Sequence, residues 1–458
     1  MRYIGIDIGS SFIKSALIDV DSFSVIAQHK FPSPARTPLE DNKKFEIPAS
    51  SLLAIVISLI DNYTKEYKDI AGVIFSTQMH GFVYHVDGME DVYISWQDMR
   101  CLNEMPGQNN SYMGYLKEVF PARNMINCGV YIKPSLGLCN LFTLFKSGNV
   151  PANGTLYTLG SYIIFKLTGN HVCHIMNAAP WGLVDLVKHS WNPSILNVIG
   201  FNKIRLPELV TNEFEPCGTL ISNGQTIRVF PDFGDQQVAI LGSIPEKDDV
   251  VLNIATASQV SITKDTFIPG DYEVRPYFEG RYINTISNLP AGRNLDVLIH
   301  FIQELISLVA EVDVTAAQIW EKMRKDFSFD SKGIKMNTGF YETPKNLDGG
   351  CISGIKADNL SLHNIFPAAF EDMAKTYSEN IRILCGSAGY HRLVCAGGVS
   401  WRIPELLKMI GLVTSHTCVL SAIPDEALSG LFRIALVCAG TCKDLQETKE
   451  LTLKLKEV

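Results

Sequence analysis

Two aspartates and one indole–carboxylate–guanidinium run are the groups in this sequence best placed to do chemistry. Asp7 ends the apolar run "YIGID", where a carboxylate buried without a partner costs several kcal/mol. A cation or water must therefore meet it, and Mg²⁺ beside a nucleotide suits that position. Gly9, Ser10 and Ser11 follow as a turn whose N–H groups and hydroxyls can face an anion, and Lys14 adds a positive charge one strand later. Asp235, in "PDFGDQQ", comes directly after Gly234 at a strand-to-helix turn, where it can serve as a general base. A helix N-cap is the competing role for an aspartate there. The stretch "ISWQDMR" (Ile94–Arg100) sets Trp96, Asp98 and Arg100 two residues apart, so an extended strand would carry all three on one face. Indole over C–H groups and a charged pair on hydroxyls is a polyol-binding face; a surface strand with a local ion pair is the plain alternative. Gln78, Met79 and His80 precede this stretch. A single histidine is ordinarily a satisfied core residue, but in the company of Gln78, Trp96, Asp98 and Arg100 it reads as part of the same cluster.

These groups need strands and turns to hold them. The opening "RYIGIDIGSSFIKSALIDVDSFSVIAQHKF" reads as three strands. Proline-rich "FPSPARTP" breaks the chain before a helix capped at Ser50 or Ser51, with Leu52, Leu53, Ile55, Val56, Leu59 and Ile60 on its apolar side. "DIAGVIFST" is a buried strand that delivers Gln78 and His80, and "TLYTLGSYIIFKLTG" is helical up to Gly169. "TIRVFPDFGDQQVAILGSIP" is strand, turn and short helix, the helix starting near Asp235. "DDVVLNIATASQVSITKD" repeats the shape of the N-terminus, a buried strand, a small-residue hairpin and a second strand. Two related domains, 1–244 and 245–458, follow from that repeat. Later come a helix with Leu362, Ile365, Phe366, Ala369, Phe370, Met373, Tyr377 and Ile381 near core spacing, a strand and glycine turn in "RLVCAGGVSWRIPELLKMIG", and a helix with Pro424 near its first turn.

Composition excludes several classes. With 458 residues, 46% hydrophobic and 19% charged, the chain is globular and long enough for more than one core. A formal net charge of −8 argues against nucleic acid as a partner. The apolar run "LLAIVISLI" is too short to span a bilayer, and the start lacks a signal-peptide pattern. Eleven cysteines without a C-x-x-C pair predict reduced thiols and a cytoplasmic setting. "HVCH" (His171, Cys173, His174) has no second ligand pair at zinc spacing and reads as structural. Neither "DIGSSFIK" nor "CAGGVS" is a Walker A loop, since both lack the Gly-Lys-Ser/Thr ending.

The stretches "DIGSSFIK", "STQMHG", "WQDMRC", "FGDQQVA", "VLNIATASQ" and "AGGVS" occur in the motif order of the FGGY family of carbohydrate kinases, and the chain resembles that family over essentially its whole length. Within the family it is most similar to the sedoheptulokinase branch, through "WQDMRC", "NAAPWGLVDLVKHSWN" and "VLNIATASQV" followed by "RPYFEGRYINTISNLPAGRNL". The resemblance implies an α/β chain of two actin/hexokinase-like (ribonuclease H-like) domains with the active site in the cleft between them. It implies ATP and a small-molecule sugar as partners, Mg²⁺ as metal, and phosphorylation of the terminal primary hydroxyl of a ketose, sedoheptulose giving sedoheptulose 7-phosphate. Xylulose as acceptor, and a sugar-binding relative without catalysis, are the alternatives; monomer and homodimer both stay open. By the same resemblance Asp235 is the catalytic base, and Asp7 and Asp235 face the metal. Gln78, Met79, His80, Trp96, Asp98, Arg100, Asp235 and Gln236 fall on sugar positions. Asp7, Gly9, Ser10, Ser11, Lys14, Thr256, Gly397 and Gly398 fall on nucleotide positions. Three places depart from the family pattern. Gly160-Ser161-Tyr162 stands for a Lys- or His-Asp-Tyr triplet and loses a polar side chain. Ala255-Thr256-Ala257 is poorer in hydroxyls than the usual hairpin, and Arg293 stands near a small or amide residue.

Overall fold

The computed structural model describes residues 1–120, 125–148, 150–151, 153–201, 203–325, 327–341 and 349–455. They form two compact units. The first holds Met1–Ile244, Lys264–Ile283 and the chain from Asp425 onward; the second holds Pro245–Thr263 and Asn284–Pro424.

In the first unit, a six-stranded sheet runs in the order Gly218–Ser222, Gln225–Gly234, Ile70–Thr77, Arg2–Ile8, Phe12–Asp19, Ser24–Pro32. The first three strands of the chain pair antiparallel, while Ile70–Thr77 lies parallel to Arg2–Ile8 and Gln225–Gly234 parallel to Ile70–Thr77. The central parallel strands are covered on both faces, which is why "YIGID" and "GVIF" are continuous apolar runs. Helix Ala49–Glu66 lays Leu52, Val56, Leu59, Ile60 and Tyr63 on this sheet. It begins at Ala49 behind Pro48, ahead of the serine caps expected, because Ser51 turns its hydroxyl back to the Pro48 carbonyl at 2.7 Å. The parallel register places Ile8, Thr77 and Gly234 side by side. Everything that directly follows these strand ends, Gly9, Gln78 and Asp235, therefore emerges along one carboxyl edge of the sheet.

A division into 1–244 and 245–458 differs from this packing in two places. The segment Lys264–Ile283 and the chain from Asp425 onward return to the first unit. The physical cause of the second return is a pair of glycines. A Cβ at Gly242 would sit 1.8 Å from the Glu426 carbonyl oxygen, and one at Gly430 would sit 2.1 Å from the Val238 carbonyl oxygen. Helices Asp235–Gly242 and Glu426–Cys438 thus meet backbone to backbone.

The other six-stranded sheet runs in the order Glu273–Pro276, Tyr282–Leu289, Ser258–Lys264, Val250–Ile254, Leu393–Ala396, Cys418–Leu420, and its last five strands repeat the topology of the first sheet. Val250–Ile254 and Ser258–Lys264 form the hairpin, with Leu393–Ala396 parallel to the first strand and Cys418–Leu420 parallel to that. The internal repeat expected at "DDVVLNIATASQVSITKD" is thus a repeat of topology. Helix Leu362–Cys385 buries Phe366, Phe370, Met373, Tyr377 and Ile381 and packs on helix Pro404–Thr414. Among the described residues no helix is long and apolar enough to cross a membrane, and all eleven cysteines are free.

Candidate active site

Asp7 is 8% exposed and sits between two strand neighbours that match it chemically. Ser76, beside it on the parallel strand, donates its hydroxyl to Asp7 Oδ1 at 2.7 Å. Lys14, opposite it in the hairpin, donates to Asp425 Oδ2 at 2.8 Å. Burial pushes the Asp7 carboxyl up to about 7, against the Ser76 hydrogen bond and Lys14, while Asp235 and Asp425 push it further in the same direction. Asp7 and Asp235 therefore share one electrostatic field at the sheet edge. Ser10 and Ser11 are exposed at the hairpin tip. The turn is braced from behind: the Gly9 carbonyl accepts from the Ser33 hydroxyl at 2.8 Å and from Gln78 Nε2 at 3.4 Å. Gln78, expected at the sugar, is thus directed at the phosphate-type hairpin.

Asp235 opens helix Asp235–Gly242, and Gly234 is its N-cap residue. The N-cap role for Asp235 is thereby excluded; its Oδ1 accepts from the adjacent Gln236 N–H at 2.8 Å. Met79 is buried against Gly234, where a Cβ would meet its sulfur at 2.5 Å. Burial lifts the Asp235 carboxyl to about 6, with the Gln236 N–H and the Arg275 guanidinium pulling it back. A carboxylate near neutrality is matched to accepting a proton at physiological pH. Tyr93, buried beside it, is raised by burial and by the Asp235 charge, so its phenol stays protonated.

"ISWQDMR" is not a strand along its length. The strand ends at Ile94, Trp96 and Gln97 form a turn, and Arg100–Leu102 is a 3₁₀ turn. Trp96 stays half-buried, while Asp98 and Arg100 point into protein. Asp98 is fully buried and saturated. Its Oδ1 accepts from Arg100 N at 2.9 Å and Arg100 Nε at 2.8 Å, and its Oδ2 from Phe45 N at 2.7 Å and Arg100 Nη2 at 2.7 Å. Arg100 extends the pair to Glu46 Oε1 at 2.5 Å. This is a bidentate buried ion pair that ties the turn to the strand at Glu46 and leaves no carboxylate lone pair pointing outward. Of the expected sugar triplet, only Trp96 keeps an exposed face.

His80 heads a network that the sequence reading missed. Its φ of 67° is left-handed, a conformation that costs a non-glycine residue of order 1 kcal/mol. Its Nδ1 lies 2.9 Å from the Pro180 carbonyl oxygen and its Nε2 lies 3.2 Å from Arg275 Nη2. A carbonyl only accepts and a guanidinium only donates, so Nδ1 carries the proton and Nε2 is the acceptor. Burial and the cations Lys133 and Arg275 keep the ring neutral. Arg275 also donates through Nη1 to Gln236 Oε1, and through Nη2 to Glu273 Oε2 at 2.6 Å; Lys133 bonds the other Glu273 oxygen. Burial opposes ionisation of Glu273, yet Lys133 and Arg275 together hold it well below the usual carboxylate range. Glu273 and Arg275 stand two apart on the strand Glu273–Pro276. The alternation argument that failed at Trp96–Arg100 applies here, and "EVRP" was the signal available.

The departure at Gly160-Ser161 is matched by a carboxylate from elsewhere. A Cβ at Gly160 would sit 2.2 Å from the Cβ of Asp232, so glycine is dictated by that approach. Asp232 accepts from the Thr158 hydroxyl at 2.7 Å, His174 N at 2.9 Å and Asn177 Nδ2 at 3.0 Å. Ser161 lies on the capped first turn of helix Leu159–Thr168, its N–H donating to Thr158 Oγ1.

These shifts fix a pH dependence for the ligand-free protein. Burial lifts Asp232 and Asp235 to about 6, and Asp7 and Glu213 to about 7. Each binds its proton more tightly folded than unfolded, so the cost of ionising it is full above about pH 7 and fades toward about pH 4. His80, His171 and His174, held neutral by burial, act in the opposite sense, because the unfolded chain takes up their protons below about pH 6.5. The expected outcome is that the urea midpoint rises as pH falls from about 8 to about 6.5 and stops rising below. A midpoint that climbs toward pH 8 would contradict it.

The second unit assembles its own anion-facing corner. Thr256 is exposed at the hairpin tip. Helix Gly292–Ala310 begins against the hairpin, with Gly292 N donating to Ala255 O at 3.0 Å and Arg293 N to Thr256 O at 3.2 Å. Gly397, with φ 84°, and Gly398 open the short helix Gly398–Arg402 beside them; a Cβ at Gly397 would sit 2.4 Å from Asn253 Oδ1. Hairpin, helix start and glycine turn thus lie together, with the first N–H groups of the helix spent on bracing the Ala255 and Thr256 carbonyls of the hairpin. Arg293 stacks its guanidinium 4.5 Å over the Tyr341 ring.

Among the described residues, no three His, Cys, Asp or Glu side chains converge to hold a metal ion, "HVCH" included. Asp7 nonetheless fits Mg²⁺, an ion that keeps several waters and takes one or two carboxylates plus phosphate oxygens. It is buried, raised, and among the described residues accepts a side-chain hydrogen bond through Oδ1 alone, from Ser76.

Comparison with known proteins agrees with this architecture. Residues 2–242 match the N-terminal domain model of the FGGY family of carbohydrate kinases. The chain is 24% identical over 360 residues to human sedoheptulokinase, covering 68% of this chain and 71% of that one. It is 24% identical over 424 residues to xylulose kinase of Staphylococcus xylosus, covering 86% of this chain and 82% of that one. The crystal structure of Plasmodium falciparum glycerol kinase with ADP superposes with a TM-score of 0.82 at 15% identity, over 100% of this chain and 93% of that one. The fold is therefore the actin/hexokinase-like two-domain fold of the sugar kinases, and the chain belongs to the FGGY family of carbohydrate kinases.

Proposed function

We propose that this carbohydrate kinase transfers the γ-phosphoryl group of ATP to the terminal primary hydroxyl of a ketose, with sedoheptulose as acceptor and sedoheptulose 7-phosphate as product. The observation that carries the reading is Asp235, freed from capping, lifted to about 6, and set on the same sheet edge as Asp7. Asp235 accepts the hydroxyl proton as the sugar oxygen attacks. The Asp7 hairpin, with Gly9, Ser10, Ser11 and Lys14, meets the transferred phosphoryl group. Thr256 and the Gly397-Gly398 turn hold the nucleotide. Asp7 and Asp235 would hold Mg²⁺ near the phosphates, where it would supply positive charge against that of ATP. On the sugar side, Trp96 offers its indole, and His80, Met79 and Gln236 line the approach to Asp235.

Sedoheptulose is favoured by the similarity to human sedoheptulokinase; xylulose is the second reading, favoured by the longer match to the Staphylococcus xylosus enzyme. A coupled ADP-release assay with ATP and Mg²⁺ against sedoheptulose, xylulose, ribulose, fructose and glycerol separates them. Highest kcat/KM on sedoheptulose is the expected result. Preference for xylulose keeps the mechanism and changes the acceptor, and sugar-independent ADP release would sink the kinase chemistry assigned to Asp235.

A further inference from the structure

The buried network at Lys133, Glu273 and Arg275 is larger than structural needs explain. Breaking a buried ion pair is costly, but replacing it with apolar side chains is often neutral or stabilising, so burial of such a cluster is no evidence for a stability role. The side chains of Glu273 and Arg275 are 7% and 5% exposed, and Lys133 is 18% exposed. Two cations meet one anion. The arginine fork ends on Gln236, the residue directly after the proposed base, and on His80, which Arg275 holds as a hydrogen-bond acceptor. Its Nε has no acceptor among the described residues. Three partners at fixed angles call for a planar, multi-donor group; a lysine, as a point donor, cannot span them.

We propose that Arg275 is a positioning residue for the acceptor sugar: anchored by Glu273, it fixes the Gln236 amide and the His80 imidazole, and so sets sugar affinity and the choice among ketoses. This rests on the reading above, in which His80 and Gln236 meet the sugar. Lys133 serves the same end one step back. It neutralises the second Glu273 oxygen, which leaves the Arg275 fork to point at Gln236 and His80 instead of closing on Glu273 bidentately. The strained backbone at His80 fits the same picture, since the ring is held in place from both nitrogens.

The test uses the full chain in three forms, wild type, Arg275→Met and Arg275→Lys, with two readouts. The first is nitrogen-15 NMR of His80 and needs no substrate. In the wild type, Nδ1 is protonated and Nε2 carries the shift of a hydrogen-bonded acceptor; Arg275→Met moves the Nε2 resonance. The second is steady-state kinetics at pH 8 on the wild type's best sugar. Arg275→Met is expected to raise the sugar KM by roughly 30-fold, the loss of about two kcal/mol of charge-assisted hydrogen bonding. The expected kcat falls by less than about threefold and the ATP KM stays within about twofold, since the lost interaction is uniform sugar binding. Arg275→Lys should fold if Arg275→Met does not, and should show a smaller rise in sugar KM. An unmoved Nε2 resonance, or sugar and ATP KM values that change together, would overturn the proposal. If the wild type turns over none of the sugars, the acceptor assignment fails. Calorimetric titration of wild type and Arg275→Met with the same sugars then decides on Arg275: equal affinities overturn the proposal, and weaker binding by the variant supports it.

Discussion

Asp235→Asn is expected to lower kcat by roughly 10²- to 10⁴-fold, the range that a positioned general base contributes. The substitution is isosteric. Asn Oδ1 can still accept from the Gln236 N–H, so helix Asp235–Gly242 keeps its start. Sugar KM should move little, because the proton leaves the hydroxyl only as the oxygen attacks, and an interaction made only then appears in kcat. Stability at pH 8 should be unchanged or higher. The carboxylate lifted to about 6 by burial opposes folding when ionised, and the amide removes that cost. Coupled ADP release and a thermal melt on the same preparation check both parts. Near-normal kcat in a folded variant would remove Asp235 from the base role.

The second large effect is on stability. Asp98→Ala leaves the Arg100 guanidinium, 4% exposed, with Glu46 as its remaining carboxylate partner among the described residues, and strips acceptors from Phe45 N and Arg100 N. Removing one partner of a buried pair typically costs about 3–5 kcal/mol, and in a domain of this size that lowers Tm by roughly 10 °C. The reading of Asp98 as a sugar ligand leads instead to a raised sugar KM with unchanged Tm. A thermal melt discriminates directly, and a Tm within about 2 °C of wild type, less than 1 kcal/mol, would contradict the buried-pair assignment.

The contrast between Asp98 and Glu273 shows what the sequence could and could not carry. The two apolar runs "YIGID" and "DIAGVIFST" are read correctly because a strand buried on both faces needs no partner information. The hairpin shapes at Gly9–Ser11 and Ala255–Ala257 are legible for the same reason, and with them the repeated topology of the two units. The i, i+2 argument is sound physics, but it holds only where the chain is extended. "ISWQDMR" leaves the strand at Ile94, whereas Glu273 and Arg275 keep to one. Nothing local separates the two cases, since the Phe45 N–H donating to Asp98 and the Lys43 carbonyl accepting from Met99 N decide the first. The return of the chain at Asp425 is likewise settled by Gly242 and Gly430, 188 positions apart, and not by either helix alone. At Asp235 one residue of register, invisible in the sequence, excludes the cap role, because Gly234 takes the cap.

The measurement closest to the central claim is a crystal structure of the protein with sedoheptulose and a non-hydrolysable ATP analogue. The account predicts the terminal primary hydroxyl of the sugar within about 3 Å of an Asp235 carboxylate oxygen, the reach a general base requires. A sugar bound with that hydroxyl beyond reach of Asp235, and facing a different acid or base, would contradict it.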